Sequence, residues 1–268
     1  MMNLKRLGNT EVMVPEIGLG TWRYRGGIEP LRKGLEMGAT LIDTAEGYYT
    51  EDIVGDSIKG FEDKVIIATK VSGRNLRYDQ VLKSAEASLI KLGVDQIHLY
   101  QIHWPNPSVP LSETVRAMEH LADEGLIKYI GVSNFDVFEM KETMGLLRNH
   151  PLVSNQVLYN LNSREMEYDL LPFCEENEIT VLAYTPLDDG NLTRKGRFLS
   201  NNRTRVLENI SKELNKTMAQ IAINWCTYHP SIIAIPKSNS IARTIENCNA
   251  SGWRITEEQY EILNDEFN

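Results

Sequence analysis

Short apolar runs alternate with amphipathic helical stretches along almost the whole of this 268-residue chain, and that alternation restricts the folds open to it. Eight runs read as strands: Ile17–Gly20, Thr40–Asp43, Val65–Lys70, Gln96–His103, Ile127–Ser133, Val153–Gln156, Thr180–Tyr184 and Ile232–Pro236. From Tyr78 to Lys91 helical spacing links Val81, Leu82, Ala85 and Leu89, with Leu92 just beyond. Ser112 and Glu113 open a further helix whose inner face carries Val115, Met118 and Leu121. Met218–Tyr228 and Ile241–Cys248 read the same way. Right-handed crossovers make such strands parallel. Eight of them are the number that a closed α/β barrel, the (β/α)8 or TIM barrel, needs.

The opening segment, Leu4 to Met13, reads as a β-hairpin with its turn at Gly8-Asn9, placed to plug the bottom of the barrel. Extra helices are expected after strand seven and at the C-terminus, over Glu257–Phe267. No linker, low-complexity segment or composition shift divides the chain, so residues 1–268 are expected to form one domain. Asp188–Arg205 is the longest irregular stretch and predicts a loop over a ligand on the active face. An open doubly wound sheet is the competing fold. It calls for a Gly-x-Gly-x-x-Gly turn after the first strand, which Gly18-Leu19-Gly20-Thr21-Trp22 does not supply.

Charge and composition narrow the function classes. A net charge of -9 with no basic stretch argues against nucleic-acid binding. No run approaches the roughly 18 apolar residues of a membrane span. Met1 to Pro15 has Lys5 and Arg6 but no apolar stretch after them, which argues against a signal peptide and for the cytoplasm. The cysteines, Cys174, Cys226 and Cys248, are odd in number and widely spaced, as suits a reducing compartment and burial as small apolar side chains. No metal cluster is expected: His98 and His103 lie five apart on one strand and point to opposite faces. Of the two, His98 reads as structural.

Chemistry-bearing side chains gather at the C-terminal ends of the strands, the face on which barrel active sites are built. Asp43, with Tyr48 just beyond, ends the second strand, Lys70 the third and His103 the fourth. Tyr48 is a candidate proton donor. Near Lys70 the phenol, ordinarily titrating at about 10, is expected to titrate lower, because a cation favours phenolate. Ser133 and Asn134 follow strand five, Gln156 ends strand six, and Tyr184 with Thr185 ends strand seven. Ser, Asn and Gln side chains there suit a planar amide and Tyr184 a flat ring, although Ser133 equally suits a helix N-cap. Lys237 and Ser238 after the last strand, with Arg243 on the next helix, make a phosphate cradle.

Taken together these strings resemble the aldo-keto reductase family. The resemblance rests on Asp43-Thr44-Ala45-Glu46-Gly47-Tyr48, Leu99-Tyr100-Gln101-Ile102-His103-Trp104-Pro105, Gly131-Val132-Ser133-Asn134-Phe135 and Ile235-Pro236-Lys237-Ser238 with Arg243, Glu246 and Asn247. Their order runs from about Leu7 to the last helix. The resemblance implies NADP(H) bound without a Rossmann fold, and reduction of an aldehyde, an aldose or a ketone by hydride from nicotinamide C4. It implies a catalytic tetrad of Tyr48 as general acid, Lys70 paired with Asp43, and His103 orienting the carbonyl. Thr21, Trp22, Asp43, Thr185 and Leu187 would also touch the cofactor. Ser133, Asn134 and Gln156 would fix the carboxamide and Tyr184 would stack on the nicotinamide. Lys237, Ser238 and Arg243 would hold the 2′-phosphate, and Glu246 and Asn247 would face the adenine.

The chain ends soon after Phe267, without the long tail that closes the pocket in many relatives. An open substrate pocket is expected, walled by Trp22, Tyr48, Tyr49, His103 and Trp104. The expected partner is a small carbonyl compound, and the expected state a monomer or weak homo-oligomer. Some relatives serve instead as redox-sensing subunits of membrane channels, a reading the tetrad alone leaves open.

Overall fold

Two apolar layers, one inside the barrel and one between its sheet and its helices, fix the architecture. The structure is a computed structural model describing residues 1–193 and 202–268. An antiparallel hairpin, β1 (Leu4–Arg6) and β2 (Met13–Pro15), comes first. Then follow β3 (Leu19–Gly20), α1 (Glu29–Glu36), β4 (Leu41–Asp43), α2 (Glu51–Ile58), β5 (Ile66–Val71), α3 (Tyr78–Leu92) and β6 (Ile97–Ile102). The chain continues through α4 (Leu111–Asp123), β7 (Ile127–Ser133), α5 (Val137–Leu146), β8 (Leu152–Leu158), α6 (Leu170–Glu176) and β9 (Thr180–Tyr184). It ends with α7 (Asn202–Glu213), α8 (Met218–Cys226), β10 (Ile232–Ala234), α9 (Ile241–Cys248) and α10 (Glu257–Phe267).

Strands β3 to β10 pair in sequence order, all parallel. Parallel bridges Ile17–Ala234 and Gly20–Lys237 join the first strand to the last, so the sheet closes into the expected (β/α)8 barrel. The outer ring of apolar side chains packs the helices onto the sheet. The inner ring fills the barrel. Leu41, Ala68, Leu99, Val153, Leu182 and Ile233 meet there, and Leu7 and Val14 of the hairpin close it from below. Gly8 turns the hairpin at φ +54°, hard against the backbone of Val153.

This inner ring determines what lies above it. Side chains alternate along a strand, so two residues beyond an inward apolar residue the next side chain also points inward. Asp43 follows Leu41, Lys70 follows Ala68, Gln101 and then His103 follow Leu99, and Tyr184 follows Leu182. The apolar plug thus sets a polar layer directly above itself.

Element boundaries differ from the sequence reading where local chemistry intervenes. β10 stops at Ala234, short of Pro236, which has no N–H for a ladder. α4 begins at Leu111 after Pro110, so Ser112 lies within its first turn and caps nothing. α8 ends at Cys226 rather than Tyr228. Of the irregular stretch expected over Asp188–Arg205, Asp188–Thr193 is a run of helical turns and Asn202–Arg205 opens α7. Residues 194–201 lie outside the described residues. Extra helices α7 and α10 stand where they were expected. No helix among the described residues is long and apolar enough to cross a membrane.

A side chain at Gly8 would have to adopt a left-handed conformation and would meet Val153 O at 2.5 Å. Gly8→Ala is therefore expected to lower unfolding stability by about 1–3 kcal/mol in urea titrations.

Candidate active site

The polar layer above the plug is organised around one buried ion pair. Lys70 Nζ donates to Asp43 Oδ2 at 2.7 Å and to the Thr44 carbonyl at 2.8 Å, with both side chains out of solvent. Gln156 Nε2 donates to Asp43 Oδ1 at 2.6 Å, and Gln101 Nε2 lies 3.5 Å from the same oxygen. A 3₁₀ turn, Glu46–Tyr48, then carries Tyr48 over the pair, with Lys70 Nζ 4.9 Å from the ring centre. The Tyr48 hydroxyl lies 3.2 Å from His103 Nε2. Trp22 packs against the other side of the phenol, ring centres 4.9 Å apart.

Electrostatics corrects one expectation. Lys70 does not bring the Tyr48 phenol below its ordinary range. Burial pushes the phenol well above it, and the Asp43 charge acts in the same direction. The Asp43 carboxylate offsets the ammonium, so the phenol meets a nearly neutral pair in a desolvated pocket. Burial also lowers Lys70, against the opposing pull of Asp43. His103 falls to about 3, through burial and then the Lys70 charge, so its imidazole is neutral at ordinary pH.

These groups form the floor of a cavity of about 1120 Å³ that runs across the barrel mouth. Asp43, Tyr48, His103, Ser133, Asn134, Gln156, Tyr184, Thr185 and Leu187 line it near the pair, and Lys237, Arg243, Glu246 and Asn247 line its far limb. Trp22 and Trp104, about half exposed, form the rim. Ser133 is no helix cap: Asp136 caps α5 through a reciprocal pair with Glu139. Its hydroxyl donates to the Gln156 carbonyl instead. Asn134, at φ +61°, donates to the His103 carbonyl and to Ser133 Oγ and accepts from the Tyr184 hydroxyl at 2.9 Å. Ser133, Asn134 and Tyr184 thus satisfy one another, while the Gln156 amide is held by Asp43.

Three expected residues stand elsewhere. Tyr49 is 86% exposed, in a left-handed conformation, and does not line the cavity. Thr21 is buried beneath it, its hydroxyl donating to the Asp43 carbonyl and paired with Thr50. Ser238 turns its hydroxyl to the Ser240 carbonyl and lies off the main cavity. His98 is half-buried and accepts from the Ile67 N–H through Nδ1, a structural role as expected. The three cysteines are buried and free.

The structure also adds residues that the strand pattern does not reveal. Lys212 on α7, and Lys216 and Thr217 at the entry to α8, line the far limb beside Lys237 and Arg243. Thr217-x-x-Gln220 is a readable capping box that marks the start of α8. Nothing local in the sequence shows that α7 turns Lys212 toward the same cavity.

The Aldo/keto reductase family model matches residues 16–266. This chain belongs to that family. The family uses NADP(H), and the chain is an NADP-dependent oxidoreductase of it. It is 38% identical over 248 residues to methylglyoxal reductase YeaE of Escherichia coli (strain K12), covering 88% of this chain and 85% of the relative. The crystal structure of the thermostable aldo-keto reductase Tm1743, with the inhibitor epalrestat, is similar at TM-score 0.91 and 39% identity, covering 98% of this chain and 99% of that one. An aldo/keto reductase from Klebsiella pneumoniae, in complex with NADP and acetate, is similar at TM-score 0.87 and 35% identity, covering 99% and 95%.

The cavity fits a dinucleotide by its own chemistry. Lys212, Lys216, Lys237 and Arg243 line it together with Asp189, Glu208 and Glu246, and its near end combines an aromatic ring with amide and hydroxyl groups.

Unfolded, His103 takes a proton near its ordinary value of 6.5; folded, only near about 3. Folding stability therefore falls as pH drops through that window. His103→Gln is expected to flatten this loss between those two pH values, measured by denaturant titration against the parent chain.

Proposed function

We propose that the protein reduces small aldehydes to alcohols with NADPH, with Tyr48 as general acid and 2-oxoaldehydes of the methylglyoxal type as the first substrates to assay. The observation that carries this reading is the Tyr48 hydroxyl at 3.2 Å from His103 Nε2 above the buried Asp43–Lys70 pair, on the floor of an elongated cavity. Similarity to a methylglyoxal reductase supports the substrate class, and aldoses and ketones are further candidates.

Reduction leaves negative charge on the carbonyl oxygen, and fixed donors aimed at that position stabilise it. Bound NADPH supplies the hydride. Tyr48 stays protonated across the working range because burial raises its phenol. It therefore holds a proton for the oxygen until charge develops there. Neutral His103 shares that space and orients the carbonyl. Lys70, anchored by two oxygen acceptors, keeps a positive charge beneath the phenol ring and stabilises the phenolate that donation leaves. Trp22 and Trp104 form a rim that admits small carbonyl compounds.

Ser133, Asn134 and Gln156 would hold the carboxamide, exchanging their present hydrogen bonds for it, and Tyr184 would stack on the ring. Lys237 and Arg243 would hold the 2′-phosphate, Glu246 and Asn247 would face the adenine, and Thr185, Leu187 and the Thr21-Trp22 backbone would flank the remainder. Residues 1–268 act as one barrel domain in the cytoplasm, where the three thiols stay reduced.

Tyr48→Phe is expected to lower turnover of methylglyoxal with NADPH by roughly two to four orders of magnitude. NADPH binding, followed by fluorescence, should persist. Unchanged turnover would refute the mechanism. Lys237→Ala with Arg243→Ala is expected to weaken NADPH far more than NADH, and equal affinity of the parent chain for both would refute the cofactor assignment.

A further inference from the structure

Gln101 is the one residue of the polar layer with no place in the reading above, and its surroundings are unusual. It points inward from β6, opposite Lys70 on β5 and Gly131 on β7. It is fully buried. Its Nε2 lies 3.5 Å from Asp43 Oδ1, while its Oε1 has no hydrogen-bond partner. Leaving a buried acceptor unpaired costs free energy, and an apolar side chain of similar size would avoid that. The barrel also makes room for this side chain. A Cβ at Gly131 would collide with Ser154 Oγ and would stand 2.9 Å from Gln101 Cγ. Packing alone gives no reason for an amide here.

We propose that Gln101 is a positioning residue of the active site, holding the second oxygen of Asp43 so that the carboxylate keeps its grip on Lys70 when Gln156 engages a bound ligand. The two donors to Asp43 Oδ1 differ in one respect. Gln156 lines the cavity, so whatever binds there competes for its amide. Gln101 does not line it and is beyond the reach of any ligand. When Gln156 turns away, Gln101 is the donor left to close on Oδ1. Hydrogen bonds to an ionised group are stronger than neutral ones, so the charged form of the Asp43–Lys70 pair depends on that donor. The titratable groups facing the pair are Tyr48 from the 3₁₀ turn and His103 from the end of β6, with Tyr184 beyond Tyr48 on β9. Neither His103, neutral at ordinary pH, nor the two raised phenols supplies a charge to replace the lost donor.

The inference rests on the reading of Tyr48 as acid, and the experiment separates the two. Methylglyoxal reduction by NADPH is followed against pH for the parent chain, Gln101→Met and Gln101→Leu, with melting temperature and NADPH binding measured on the same preparations. Gln101→Met keeps the volume of the side chain and guards against failure of the leucine variant to fold. Both variants are expected to melt at or above the parent temperature, since each removes an unpaired buried acceptor, and to bind NADPH unchanged. Since a donor to a carboxylate favours its ionised form, their kcat is expected to begin its acid-side fall about one pH unit higher, the size of one charge-assisted hydrogen bond. Unshifted limbs, or a lower melting temperature with an unshifted limb, would overturn the positioning role. Absence of reduction by the parent chain would instead refute the functional reading.

Discussion

A lysine nitrogen with no exposure to solvent sits at the centre of this molecule, 2.7 Å from a single carboxylate oxygen. Desolvating such a pair is expensive, and the attraction between its members repays that only with good geometry and further hydrogen bonds. The barrel supplies both. Asp43 and Lys70 come from adjacent parallel strands, two residues above the apolar plug, and donors on β6 and β8 reach the carboxylate. The Thr44 carbonyl takes a second Lys70 hydrogen. Without the plug of Leu7, Val14 and the inner ring, water would reach the pair from below and screen it. The hairpin at the bottom of the barrel therefore bears on the chemistry at its mouth.

Much of this was legible in the sequence because it depends on period and order. Two-residue alternation places Asp43, Lys70 and His103 on the inner face, and eight runs in strand–helix alternation give a closed parallel sheet. His98 and His103 separate onto opposite faces by the same parity. What escaped the sequence reading depends on distant packing. Tyr49 is next to Tyr48, yet the backbone turns left-handed there and sends it out to solvent. The proton affinity of Tyr48 is not set by the lysine alone, because the lysine brings its own counter-ion. Seen from the phenol, Asp43 and burial outweigh Lys70. Ser238 looked like a phosphate ligand, but its hydroxyl is used in a local turn ahead of α9. Lys212 reaches the cavity from a helix beyond the strand pattern.

The cavity divides the work along its length. At one end lie a desolvated phenol, a neutral imidazole and a buried lysine nitrogen. At the other, Lys237 and Arg243 with Lys212 and Lys216 form a cationic limb on a chain of net charge -9. The amide cluster of Ser133, Asn134 and Gln156 lies between them, and Gln156 touches both worlds: its side chain lines the cavity and donates to Asp43.

Nitrogen NMR of the Lys70 side chain tests this account most directly, with the signal assigned by its loss in Lys70→Arg. The account predicts an ammonium signal at neutral pH, in the free protein and with NADP bound. A neutral amine in either state would contradict it.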